Sequence, residues 1–100
     1  MARLQWSERA LATLDQLVLT HSLPTDTRLR IETSARPLAR FLRIGPQLRD
    51  LPGGAELRFL IGPWPWLVIV YVVFAGENRV VIASVEDGRR SAASTVTRVR

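Results

Sequence analysis

Leu4 and Trp6 alternate with Arg3 and Gln5, a period of two that puts apolar side chains on one face of a short strand. Past Ser7 the period lengthens to that of a helix, with Leu11, Leu14 and Val18 recurring three and four residues apart. Ser7 offers an N-cap hydroxyl and Glu8 sits favourably against the helix dipole, which predicts a first helix over 8–20. Ser22-Leu23-Pro24 ends it, because proline drives its predecessor out of the helical region and has no N–H to donate. A second helix, capped by Thr25 or Asp26, has an apolar face of Ile31, Ala35, Leu38 and Leu42. Arg36, Arg40 and Arg43 fall about 120 to 180° around that helix from Ile31 and form a separate polar face, on which Glu32 and Arg36 are spaced for an i,i+4 pair. Pro37 predicts a kink or restart over 34–37, and Gly45-Pro46 ends the helical region.

Leu51-Pro52-Gly53-Gly54 reads as a loop, and beyond Ala55 the period returns to two. Leu57, Phe59 and Ile61 share one face of a strand, while Glu56 and Arg58 point to the other. Gly62-Pro63-Trp64-Pro65 marks a turn, Trp66 to Phe74 is a β-branched and aromatic run, and Gly76-Glu77-Asn78 turns the chain into a last strand over 79–87. The expected architecture is therefore α+β, an N-terminal helical hairpin on a small antiparallel sheet in the order β-α-α-β-β-β. The run from Trp66 to Phe74 is apolar on both faces and belongs at the centre of the sheet, with the helices over one side. A chain of 100 residues makes one domain, read as 1–92 with a C-terminal tail at 93–100. Its two helices leave the second face of the sheet either to loops and the tail or to a partner.

Composition narrows the chemistry. The sequence has no cysteine and a single histidine, His21, which excludes a disulfide scaffold, a thiolate metal site and a multi-histidine site within one chain; no metal or cofactor is expected. All 14 basic residues are arginine and the formal net charge is +5. Arginine pairs bidentately with carboxylate and phosphate and stays charged, so acidic partners are favoured, although a GC-rich coding bias gives the same composition. No secretory signal pattern opens the chain, and the longest apolar stretch, Trp66 to Ala75, is half of the roughly 20 residues that a membrane helix needs. A cytoplasmic protein without a membrane partner is expected.

Arg28, Arg30, Arg36, Arg40, Arg43 and Arg49 lie in one stretch in which Glu32 is the sole acid, so residues 28–49 carry as much net charge as the whole chain, +5. That is either a docking surface for polyanions or a solvated helix face. Arg58 interrupts an apolar strand, and Arg89-Arg90 follow the last one; antiparallel pairing can bring them to one face as a basic cluster, or Glu56, Glu86 and Asp87 can absorb them in ion pairs. The titratable groups suited to proton transfer are His21 and Tyr71, beside the carboxylates. His21 falls at a helix end and Tyr71 in the apolar strand, both positions that suit structure better than catalysis. No phosphate-binding glycine loop, nucleophile elbow or metal motif is present, so no catalytic residue is assigned.

A short strand ending in Trp6-Ser7, two helices, the Leu38 to Gly45 stretch, the Arg58 strand, Gly62-Pro63-Trp64-Pro65-Trp66, an apolar strand with Tyr71, and the ending Glu86-Asp87-Gly88-Arg89-Arg90 follow one another in an order that resembles the RelE/ParE toxin superfamily. The resemblance implies the toxin half of a bacterial toxin–antitoxin pair, neutralised in a hetero-oligomer by an acidic antitoxin whose C-terminal segment wraps it. RelE-like members cleave messenger RNA on the ribosome with basic residues on the sheet and a C-terminal tyrosine or histidine, whereas ParE-like members poison DNA gyrase. Ser91-Ala92-Ala93-Ser94 follows Arg90 here, without tyrosine or histidine, and the Gly-Arg-Arg ending and the proline-aromatic turn are closer to the ParE branch. The expected function is therefore gyrase inhibition, with ribosome-dependent mRNA cleavage as the alternative. The family often has arginine directly after the second aromatic, where this chain has Leu67, which also admits an inactive toxin that titrates antitoxin. The resemblance leaves Arg58, Arg89, Arg90, Trp64 and Trp66 as candidate target- or antitoxin-binding residues.

Overall fold

The computed structural model describes residues 1–89. Strand β1 (Arg3–Trp6) leads into helix α1 (Glu8–His21), which starts where the Ser7 hydroxyl accepts from the Ala10 N–H at 3.0 Å. The same hydroxyl donates to the Ala83 carbonyl at 3.2 Å, so the cap also fastens the helix to the sheet. Helix α1 ends at Ser22, whose left-handed backbone (φ 50°) lets its N–H return to the Leu19 carbonyl. Helix α2 (Thr27–Ala35) begins at Asp26, whose side chain makes no capping bond and pairs instead with Arg30 at 2.8 Å. Pro37 sits inside a 3₁₀ turn over Arg36–Ala39, the restart its ring requires. Glu32 pairs one turn back with Arg28 at 3.4 Å and not with Arg36 as the spacing suggested.

Five strands form one mixed sheet in the order β1-β5-β4-β3-β2, with β2 at Gln47–Asp50, β3 at Glu56–Ile61, β4 at Leu67–Phe74 and β5 at Arg79–Asp87. The antiparallel meander β3-β4-β5 is the one expected, and β4 is its centre. Two additions correct the expected all-antiparallel sheet. Strand β1 pairs parallel to β5, Leu4 beside Val80 and Trp6 beside Ile82, and the exposed segment Gln47–Asp50 pairs with β3 as an edge.

Residues directly opposite each other on paired strands share a face. Leu67, Ile69, Tyr71 and Val73 of β4 face α1 and α2 and are fully buried in one cluster with Ala10, Leu14, Ile31, Ala35, Leu38, Val80, Ile82 and Val85. The opposite face carries Leu57 and Phe59 of β3, Val68, Val70 and Val72 of β4, and Val81 of β5, and each keeps partial exposure. Arg58 and Glu56 lie opposite Tyr71 and Val73, hence on the helix-bearing side, while the apolar Leu57 and Phe59 occupy the other.

Candidate functional site

The turn between β3 and β4 is held by the Gly62 N–H to the Leu67 carbonyl at 2.8 Å and the Leu67 N–H to the Trp64 carbonyl at 3.0 Å. Its prolines flank Trp64 and fix the loop so that Trp64 and Trp66 stack, centroids 5.9 Å apart and planes 13° from parallel. At the end of β5 the Gly88 N–H donates to the Trp66 carbonyl at 2.6 Å. A side chain at Gly88 would run into Val68 and crowd that carbonyl, which gives the glycine of the Gly-Arg-Arg ending its reason.

This contact brings Asp87 and Arg89 against the tryptophans. Arg89 clamps the Asp87 carboxylate at 3.1 and 3.0 Å, adds its backbone N–H at 3.0 Å, and lies over Trp66 at 5.1 Å. Asp87 is 8% exposed and is held ionised by this clamp, its carboxyl lowered from the usual carboxylate range first by the Arg89 guanidinium. From the far end of α1, His21 reaches the same carboxylate with Nε2 at 3.4 Å and rests on Trp66, ring centroids 4.9 Å apart. Arg30 of α2 covers the outer tryptophan, Trp64, at 5.9 Å. Four segments, α1, α2, the β3–β4 turn and the end of β5, thus converge on two indoles, an imidazole, a carboxylate and two guanidinium groups. Such a set can stack on flat rings, neutralise anionic oxygens and move a proton.

Trp64, Trp66 and Arg89 lie together at this end of the sheet, a grouping that the sequence did not indicate; it paired Arg89 with Arg58 instead. Arg58 is not part of this group. It donates to the Glu56 carboxylate at 2.8 Å and to the Gly45 carbonyl at 2.7 Å, four residues further along the sheet and two strands away from Asp87, a separation of roughly 16 Å. Arg43 completes that second cluster, bonding Glu56 at 2.8 and 3.0 Å; the two arginines, Arg43 first, pull Glu56 down to about 2. Arg90 lies outside the described residues.

His21 is the site residue that sequence reasoning set aside. Asp87 is 66 positions away and nothing local links the two. Tyr71 is excluded from proton transfer by its position. It is fully buried, its hydroxyl accepts the Gly45 N–H at 2.9 Å, and burial raises the phenol further above neutrality. Among the described residues no group of side chains is arranged to hold a metal, and no helix is long and apolar enough to cross a membrane.

No family model matches this sequence, and no curated protein matches it. Solved structures do. The isolated RelE toxin of E. coli, in its P21 crystal form, is 22% identical with a TM-score of 0.58, and the alignment covers 100% of both chains. A double arginine-to-alanine mutant of E. coli RelE in the free state gives 22% and 0.55, again over 100% of both. The RelBE2 toxin–antitoxin complex of Mycobacterium tuberculosis is 21% identical over 86% of this chain and 90% of that one, with a TM-score of 0.48. The chain has the RelE fold.

Proposed function

We propose that this chain is the toxin of a toxin–antitoxin pair, that it acts as a ribosome-dependent mRNA endoribonuclease, and that an acidic antitoxin holds it inactive. The observation that carries the reading is the end-to-end likeness to the RelE toxin fold in a chain whose cations are all arginine. It moves the preference from the ParE-like branch, which rested on a glycine-arginine ending and a proline-aromatic turn, to the RelE-like one. The turn and the ending find a different use here, since they assemble the tryptophan–arginine site.

RNA on a ribosome is a polyanion with unpaired bases. Half-buried indoles beside exposed guanidinium groups suit it, and the +5 charge favours encounter. One observation favours gyrase poisoning as a second reading: no tyrosine or histidine follows Arg90, and the one tyrosine is buried. Expression of the chain in growing bacteria, with mapping of mRNA ends on ribosomes and a supercoiling assay on purified gyrase, separates the two. Transcripts cut within codons while supercoiling proceeds support the endoribonuclease. Intact transcripts with arrested supercoiling support the gyrase poison, and unimpaired growth removes the toxin reading altogether.

A further inference from the structure

We propose that His21, oriented by Asp87 against Trp66, is the general base of the RNA-cleaving site. This rests on the endoribonuclease reading above. It differs from what the family resemblance implied, a proton-transfer residue in the C-terminal segment, because it places that residue at the end of the first helix.

Three observations carry it. His21 is the only imidazole in the sequence, and the only tyrosine is sealed in the core, so a proton acceptor other than a carboxylate has one available position. The ring is partly exposed, 26%, while its Nε2 faces the buried, ionised Asp87 at 3.4 Å. The contact is a charge-to-ring approach without an aligned hydrogen bond, and the negative charge of Asp87 favours a proton on the nitrogen that faces it, which leaves the lone pair of Nδ1 to accept. Finally, the surroundings suit a nucleotide. The imidazole packs tilted against Trp66 with planes 52° apart, Trp64 stacks on Trp66, and guanidinium groups lie over both indoles, Arg30 over Trp64 and Arg89 over Trp66. Arg89 is 62% exposed, so it can turn a donor toward a phosphate while its backbone N–H stays on Asp87.

The step balances without a metal or an oxidant. The ribose 2′-hydroxyl gives its proton to Nδ1 of His21 and its oxygen bonds to the adjacent phosphorus. The bond from phosphorus to the 5′-oxygen of the next nucleotide breaks with its electron pair on that oxygen, which takes a proton from water. The hydroxide so formed recovers the proton from the imidazolium. The products are a 2′,3′-cyclic phosphate and a 5′-hydroxyl end, and arginine stabilises the charge that gathers on the phosphate oxygens.

The test uses the full chain, mRNA bound to ribosomes, and the variants H21A and H21Q, each checked by thermal melting. We expect both to lose about 10²-fold or more in cleavage rate. Free imidazole is expected to restore H21A at least tenfold, through the space the ring vacates, and to leave H21Q unchanged; a merely structural histidine has no reason to be rescued in this way. H21Q keeps a donor toward Asp87 and carries the test if H21A does not fold. Wild-type cleavage with an equally active H21Q, or a folded H21A that imidazole does not restore, overturns the assignment and leaves the endoribonuclease standing. Absence of cleavage by the wild-type chain overturns both.

Discussion

At single positions the structure replaces chemistry expected from residue type with chemistry set by surroundings. Tyr71 carries a titratable phenol, yet its place in the apolar strand already suits structure, and in the fold it is a structural acceptor whose hydroxyl satisfies the buried Gly45 N–H at 2.9 Å. Gly45 itself has no room for a side chain, because a Cβ there would overlap the Phe59 carbonyl. Tyr71→Phe leaves that N–H without a partner and is expected to cost about 1–3 kcal/mol, read as a lowered denaturation midpoint with the slope unchanged. Glu56 gives a pH prediction. Held at about 2 by Arg43 and Arg58, it lies below its value in the unfolded chain, so on acidification the unfolded chain takes up protons first. The stability it contributes is complete above about pH 5 and is lost as pH falls towards 2. In Glu56→Gln that loss is absent, so urea midpoints measured between pH 2 and pH 6 should fall less steeply than in the wild type. Asp87, also lowered by Arg89, loses stability on acidification in the same sense and keeps part of the slope. Equal slopes in the two proteins contradict the assignment.

Among the elements, those with a local signal were legible and those made by distant pairing were not. The Ser7 cap, the proline stop after α1, the restart at Pro37 and the β3-β4-β5 meander follow from spacing and turn residues, whereas the side chain of Asp26 pairs with Arg30 and does not cap α2. Strand β2 was invisible because Gln47-Leu48-Arg49-Asp50 has no buried face; it exists only because β3 offers a free edge. The β1–β5 pairing joins residues more than seventy positions apart, and the closeness of His21 to Asp87 depends on the packing of α1 across β5. Periodicity also assigned Arg58 and Leu57 to opposite faces without saying which face the helices cover, and the neighbouring strand β4, apolar on both sides, holds no answer either. The α1–β5 contact contains a feature of its own. The register shifts between Val70 and Tyr71, and beside this bulge the Val85 N–H turns to the Thr13 hydroxyl of α1 at 2.9 Å. Thr13→Val keeps the shape and removes that acceptor. A loss of about 1–3 kcal/mol is expected, with faster amide exchange at Val85 as the local readout. Protection at Val85 equal to that of the wild type would remove the hydroxyl from this account.

At the scale of the molecule, two surfaces answer to different partners. The end of the sheet near Trp66 gathers rings, cations and the imidazole, whereas the face formed by Leu57, Phe59, Val68, Val70, Val72 and Val81 is apolar and partly exposed on a chain of net charge +5. Burying such a face releases water from apolar surface, and Arg49 and Arg79, in register with Leu57 and Phe74 at its edges, favour an occupant rich in carboxylates, which is the chemistry of the proposed antitoxin. If inhibition works through this face, it is separable from the tryptophan site. Val70 stands at its centre, opposite Phe59 on one side and Ser84 on the other, and its side chain takes no part in the buried cluster beneath the helices. Val70→Asp places a carboxylate where an acidic, apolar segment has to lie. The expected result is a chain that folds with a stability loss of about 1–3 kcal/mol, because the carboxylate enters a mostly buried apolar strand position, and that stays toxic while a co-expressed antitoxin no longer restores growth. Calorimetric titration of the two purified proteins checks the same point directly, through at least a tenfold weaker complex. Neutralisation as complete as for the wild type would move the antitoxin off this face and onto the arginines of α2 and the residues that follow it.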